Sequence, residues 1–363
     1  MVEEVAVGWL VELLDLPRES SLGLVTGGQM ANFTCLAAAR DQVLKESGWN
    51  VLADGLQGAP KVNVVVKSDG HSTVLRALRY LGLGESAAIE VPCDDQSRVI
   101  PEALEKVLGG LEGPTVVCVE SANINTGAFD PFNEVADAAD RHRRRGNPTS
   151  VHVDGAIGLW ARASADRRHL TDGLDRLDSW STDAHKLLNV GYDSGIAICR
   201  DVAAHRAATS VHAPYLIQSE GEARDPLDWV PEFSRRARGT SIYATLRSLG
   251  RSGVADIVDR THRLAIRFAE SLTESEKARV MNEIVFNQVL VRWIAPDGDH
   301  DTFNDEVMDN VQKEGTAFFS GTTWNGQRFM RISISDWATD EKDVDQAIES
   351  LLRNAEICAA ARP

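Results

Sequence analysis

WSTDAHKLLNVGYDSGIAIC, residues 180–199, is the stretch that decides how this chain is read. A polar run leads into His185–Lys186, a turn-rich segment follows, and Gly195–Cys199 is an apolar run of strand character. A lysine beside a histidine, among Ser, Thr, Asp and Asn, fits a polar pocket better than a solvated helix face. In such a pocket a lysine amine kept partly neutral can form a Schiff base with a carbonyl compound. A lone lysine is more often a surface charge, so the context must come from the rest of the chain.

Upstream, strands and helices alternate. Residues 62–66 (VNVVV), 87–91, 115–119 (TVVCV) and 150–154 read as strands, separated by helices over 72–81, 101–108 and 131–144. Continuous apolar strands suit a sheet covered by helices on both faces, so the expected fold class is α/β with a mostly parallel sheet. Val2, Val5, Ala6, Trp9, Leu10, Leu13 and Leu14 recur at helical spacing, and Pro17 follows the stop. Residues 22–28 (LGLVTGG) form an extended piece ending in glycines, and 29–46 a long Ala-rich helix. Past Gly239 come helices over 241–249 and 254–272, strand-like runs at 288–293 and 329–334, and a last helix over 343–355. That pattern predicts a large domain over 1–250 and a small C-terminal α+β domain over 251–363. Residues 213–238 lack a period and read as a long loop.

The chain has 363 residues, 43% hydrophobic and 25% charged, ordinary for a soluble globular enzyme. A net charge of −16 argues against nucleic acid or an anionic membrane as partner, because both need a basic surface. The one basic run, RHRRR at 141–145, suits a helix C-terminus, with a binding patch as the other reading. Five scattered cysteines form no CxxC motif, and Cys118 and Cys199 lie in apolar runs. Reduced thiols, no membrane-length apolar segment and no leader ahead of the first helix together predict a cytoplasmic protein.

Three further stretches carry chemistry. In TGGQMAN (26–32) two glycines precede a helix, which is either a tight turn or a place where backbone N–H groups meet an anion. No P-loop is present. SDGHSTVLRA (68–77) puts His71 at a helix start just after a strand, as a cap or as a ligand contact. HVDGAIG (152–158) ends a strand in Asp154. His152 and Asp154 could share a strand face as metal ligands, but no third ligand is spaced nearby.

Taken in chain order, TGGQMAN, SDGHSTVLRA, HVDGAIG and STDAHKLLNV resemble the group II pyridoxal-phosphate decarboxylases, which include the aromatic-amino-acid, histidine and glutamate decarboxylases. NINTGAFDP (123–131) resembles a wall segment of the same family, with Ser121-Ala122 where many relatives carry Ala-Gly. The resemblance runs from about residue 3 to the C-terminus and is densest over roughly 22–200. It implies a fold-type I enzyme with pyridoxal 5′-phosphate as cofactor and Lys186 as the lysine that carries it. Asp183 and His185 fall beside that lysine in the cofactor pocket. Gly28 and Gln29 would contact the phosphate, His71 would stack on the ring, Asp154 would pair with the pyridine nitrogen, and Ala156 would lie under the ring. The implied activity is decarboxylation of an L-amino acid to its amine by a homodimer.

Two departures bear on that expectation. Relatives usually carry an additional N-terminal segment that wraps the partner subunit, and this chain begins where that segment would end, as a short form or a truncated chain would. Many relatives also place a proton-donating Tyr on a loop where this chain has Pro226; the nearest tyrosine is Tyr215. Loss of that Tyr is linked in the family to oxidative deamination to an aldehyde, so that reaction and carbon–carbon cleavage stay open. A non-catalytic partner-binding protein is the reading from a different class.

Overall fold

Seven strands assemble into one sheet in the computed structural model, which describes residues 1–210 and 225–362. In chain order the elements are α1 (Val2–Leu13), β1 (Ser21–Val25), α2 (Gly28–Glu46), α3 (Val51–Asp54), β2 (Asn63–Lys67), α4 (Ser72–Tyr80), β3 (Ile89–Val91), α5 (Pro101–Gly109), β4 (Thr115–Glu120), α6 (Phe132–Arg144), β5 (Thr149–Asp154), β6 (Ser179–Asp183), β7 (Gly195–Cys199) and α7 (Val202–Thr209). The sheet order is β1-β7-β6-β5-β4-β2-β3. β6, β5, β4, β2 and β3 pair in parallel, whereas β7 is antiparallel to both its neighbours. β1 therefore points the same way as the parallel strands, and their carboxyl ends share one edge of the sheet.

Every residue of β2 and β4 is buried, as continuous valine runs require. Val64, Val66, Val116 and Cys118 pack with Leu36, Val43, Val74 and Leu78 from α2 and α4. Each such aliphatic side chain contributes about 1.5–3 kcal/mol on burial. The polar run ahead of His185 is itself a strand, β6, buried along its whole length. Its polar side chains find partners inside: Ser179 Oγ lies 2.9 Å from His152 Nδ1, and Ser181 Oγ donates to Asn32 Oδ1 at 2.6 Å. Satisfied polar groups are what permit so polar a strand at the centre of a sheet.

Past α7, α8 (Arg238–Thr273) breaks at Gly250, whose φ of 62° lies in the left-handed region. The elements β8 (Ala278–Val280), β9 (Gln288–Trp293), α9 (His300–Glu314), β10 (Ser320–Trp324), β11 (Gln327–Ser333) and α10 (Glu341–Ala360) follow. Their four strands form an antiparallel sheet in the order β10-β11-β9-β8. Its core includes Phe268, Trp293, Phe303, Met330 and Leu351. β8, α9 and β10 went unread in the sequence. The apolar face of α9 (Phe303, Val307, Met308, Val311) is thinned by the Asp, Asn and Glu between its members.

By internal contacts the chain divides into Met1–Ala122 with Phe129–Ala255, and Asn123–Ala128 with Asp256 onward. In the second unit, Asn282 Nδ2 donates to the Thr126 carbonyl at 2.7 Å and Arg331 Nη1 to the Ile124 carbonyl at 3.1 Å. The basic run at the end of α6 is largely spent inside the first unit. Arg141 pairs with Glu105, Arg143 with Asp140 and Asp178, and Arg145 donates to the Leu108 and Gly109 carbonyls. All five cysteines are free thiols. Among the described residues no helix is long and apolar enough to cross a membrane.

Candidate active site

Four parallel strands of the first unit end, or lead within a few residues, to the residues singled out in the sequence. β1 runs into Gly28 and Gln29 at the head of α2, β2 into His71, β5 ends on Asp154, and β6 ends on Asp183 just before His185 and Lys186. Carboxyl ends of parallel strands are where ligands bind in such sheets, because the loops there open away from the strands.

Asp154 is buried, and its carboxylate accepts from Asn32 Nδ2 (2.8 Å), from the Ala156 amide (3.2 Å) and, at 3.4 Å, from Thr73 Oγ1. Thr73 joins it to His71: the His71 ring caps α4 by accepting from the Thr73 amide, and its Nδ1 lies 2.7 Å from Thr73 Oγ1. Gln29 reaches the same turn, donating to the Thr73 carbonyl at 3.2 Å. His71, Val74, Cys118, Val119, Glu120 and Asp154 line one cavity at this edge. On the other side, the Ala156 carbonyl accepts the Asp183 amide at 3.1 Å.

Asp183 is the second buried carboxylate. Its Oδ2 lies 3.5 Å from Lys186 Nζ and its Oδ1 3.6 Å from His185 Nε2, and it accepts from the Gly28 amide. Oδ1 has no hydrogen-bond partner within the described residues. Burial pushes the Asp183 carboxyl above the usual range, and Lys186 and His185 pull against that shift. His185 is nearly buried and stacks on the exposed Tyr192 with ring centroids 4.3 Å apart, while Lys186 keeps about a third of its side chain in solvent. The head of α2 lies close against β7: a Cβ on Gly195 would stand 2.5 Å from the Gly27 backbone, so only glycine fits there.

All eight residues named from the sequence thus fall in one linked set. Sequence reasoning missed most of the layer behind them, naming only His152, and that as a possible metal ligand with Asp154. Asn32, fully buried on α2, donates to Asp154, accepts from Ser181, and has its Oδ1 2.9 Å from His152 Nε2. His152 is thereby a buried bridge between Asn32 and Ser179. An asparagine four residues after Gly28, on the same helix face, was the available signal. Lys67, also missed, is buried among Glu120 (3.1 Å) and Asp130 (3.4 Å). Burial opposes its charge, but Asp130, Glu120 and Asp69 hold its ammonium well above the ordinary lysine range. Pro226 opens a short turn, Pro226–Trp229, tied to α7 through the His205–Trp229 and Thr209–Asp228 contacts. Tyr215 lies outside the described residues.

The sequence model of the pyridoxal-dependent decarboxylase conserved domain matches residues 1–294. The chain belongs to the pyridoxal-dependent decarboxylase family. Tryptophan decarboxylase 2 of Oryza sativa subsp. japonica is 25% identical over 365 residues, covering 95% of this chain and 71% of that protein. The 4-hydroxyphenylacetaldehyde synthase of Rhodiola rosea is 26% identical over 359 residues, covering 95% and 71%. The crystal structure of Oryza sativa TDC with PLP and tryptamine superposes with a TM-score of 0.88 at 25% identity, over 98% of this chain and 76% of that one. The fold is that of fold-type I decarboxylases, the cofactor is pyridoxal phosphate, and the chain is an amino-acid carboxy-lyase of this family.

Proposed function

We propose that Lys186 carries pyridoxal phosphate at this sheet edge and that the enzyme there converts an L-amino acid to its amine and carbon dioxide. The residues fit the cofactor. Gly27 and Gly28 leave the head of α2 without side chains, and a Cβ on Gly28 would stand 2.8 Å from Asp183 Oδ2. A helix start whose N-cap, Gly27, offers no capping side chain of its own suits a phosphate. The buried Asp154 carboxylate suits a protonated ring nitrogen, and the partly exposed Lys186 amine lies 3.5 Å from Asp183 Oδ2.

When bound, the cofactor supplies an electron sink for the pair left by the broken Cα–carboxylate bond. Asp154, fixed by Asn32, Thr73 and the Ala156 amide, holds a proton on the pyridine nitrogen. His71, held in orientation by Thr73, would stack on the cofactor ring, and the small Ala156 would lie under it. Gly28 and Gln29 anchor the phosphate, while Asp183 and His185 flank Lys186. The same reading assigns residues 1–250 to cofactor binding and 251–363 to a smaller domain, in a cytoplasmic homodimer. What supports it is the linkage of eight expected residues across the ends of four strands.

A second reading, release of an aldehyde, ammonia and carbon dioxide with dioxygen reduced to hydrogen peroxide, is favoured by Pro226 at the expected tyrosine position and by the similarity to an aldehyde synthase. Carbon dioxide, amine and aldehyde release are to be measured for each common L-amino acid, with Lys186→Ala as control. Equal carbon dioxide and amine, lost in the variant, is the expected result. Aldehyde with ammonia in place of amine establishes the second reading, and turnover that survives in Lys186→Ala overturns both.

A further inference from the structure

We propose that Asp183 couples phosphate binding to proton uptake: its carboxylate occupies the head of α2 in the cofactor-free chain and takes a proton from solvent when the cofactor's phosphate enters. The inference rests on the assignment of the phosphate to the Gly27–Gly28 turn. At that turn the anion-binding amide of Gly28 is already turned to Asp183, and Oδ2 stands where a Cβ on Gly28 would collide. Oδ1, buried and without a hydrogen-bond partner among the described residues, lies 3.5 Å from the same Cβ position and 3.6 Å from His185 Nε2. A phosphate bound there meets a carboxylate in a site shielded from water, where like charges disfavour each other strongly.

The charged groups facing Asp183 are few. Lys186 and His185 come from its own loop and Asp154 from β5, and the first turn of α2 brings amides but no ionisable side chain. Lys186 is the nearest cation, with Nζ 3.5 Å from Oδ2, and an incoming phosphate competes with the carboxylate for it. The carboxylate then shares that ammonium with the phosphate, and the neighbouring Asp154 adds to the repulsion. Protonation relieves the conflict: the new O–H bond turns Asp183 from an acceptor competing for the Gly28 amide into a donor to a phosphate oxygen. Burial already tilts this carboxyl toward its neutral form.

The test separates phosphate binding from bond formation to Lys186 by using pyridoxamine 5′-phosphate and pyridoxamine, neither of which has the carbonyl. Their affinity ratio for the cofactor-free protein isolates the phosphate. A phosphate gains its second charge near pH 6, so an uncomplicated helix-head site binds it as well or better at higher pH. The proposal predicts the reverse: the ratio falls by roughly tenfold between about pH 6.5 and about pH 8.5. Calorimetry in two buffers of different ionisation enthalpy should show proton uptake on binding of the phosphate form alone. Asp183→Asn, nearly isosteric, should abolish the uptake and bind the phosphate form about tenfold tighter at about pH 8. A wild-type ratio that is flat or rises with pH, or an Asp183→Asn variant that folds and binds no tighter, overturns the proposal. If wild type and variant alike fail to distinguish the two probes, the phosphate site is misassigned and the proposal falls with it.

Discussion

Asn32→Ala is the perturbation that asks most of the layer behind the site. Asn32 is fully buried and makes four contacts: to Asp154 Oδ2 at 2.8 Å, Thr73 Oγ1 at 3.1 Å, Ser181 Oγ at 2.6 Å and His152 Nε2 at 2.9 Å. Truncation leaves the Asp154 oxygen, the Ser181 hydroxyl and the His152 nitrogen short of a partner in a space without bulk water. Each such group costs about 1–3 kcal/mol. A water entering the gap recovers part of that, so the net loss should be about 3–5 kcal/mol. For a unit of this size a loss of that order lowers Tm by roughly 6–20 °C. Denaturation of the cofactor-free protein by urea, followed by tryptophan fluorescence, measures it directly. Ser181→Ala alone should cost about 1 kcal/mol, and the double variant should lose less than the sum, because the two groups share one hydrogen bond. An Asn32→Ala protein within about 1 kcal/mol of wild type, or strictly additive losses, would refute the network.

Gly195→Ala should push the head of α2 off β7, since the added Cβ would stand 2.5 Å from Gly27 backbone atoms. Pyridoxamine 5′-phosphate should bind at least tenfold more weakly, at a stability cost of about 1–3 kcal/mol; unchanged affinity would show that the close approach does not shape the phosphate site. In the second unit, Glu314 accepts from Thr316, Arg353, Asn354 and Ser350, and these hydrogen bonds hold its carboxyl down to about 2. A depressed carboxyl stabilises above its unfolded pKa and loses that contribution as pH falls toward the folded value. Thermal unfolding of Glu314→Gln should therefore match wild type at acid pH and fall below it at neutral pH, and a constant difference across the range would count against this.

The parallel core was legible because valine runs such as NVVVK and TVVCVE have no other comfortable home than a sheet buried on both faces. The order of four polar motifs, each just past a strand, carried the family. β6 was not legible as a strand, since its Ser, Thr and Asp are satisfied by residues far away in sequence, 149 positions for Ser181 and Asn32. The antiparallel course of β7 was equally hidden, because an apolar pentapeptide has no direction. Asp183 was named as a pocket residue from its place three before Lys186. Its contact with the Gly28 amide depends on the close approach that Gly195 permits, which no local pattern announces.

The central claim is that Lys186 carries the cofactor, and one measurement addresses it without reference to turnover. The protein is loaded with pyridoxal phosphate, reduced with borohydride to fix the linkage, digested, and its peptides sequenced by mass spectrometry. The account predicts a single phosphopyridoxyl-lysine, at Lys186 within STDAHKLLNV, with the modification absent from Lys186→Ala treated in the same way. Stoichiometric labelling at another lysine, with Lys67 or Lys61 as the nearest alternatives in sequence to the His71 segment, or a protein that takes up no label, would contradict it.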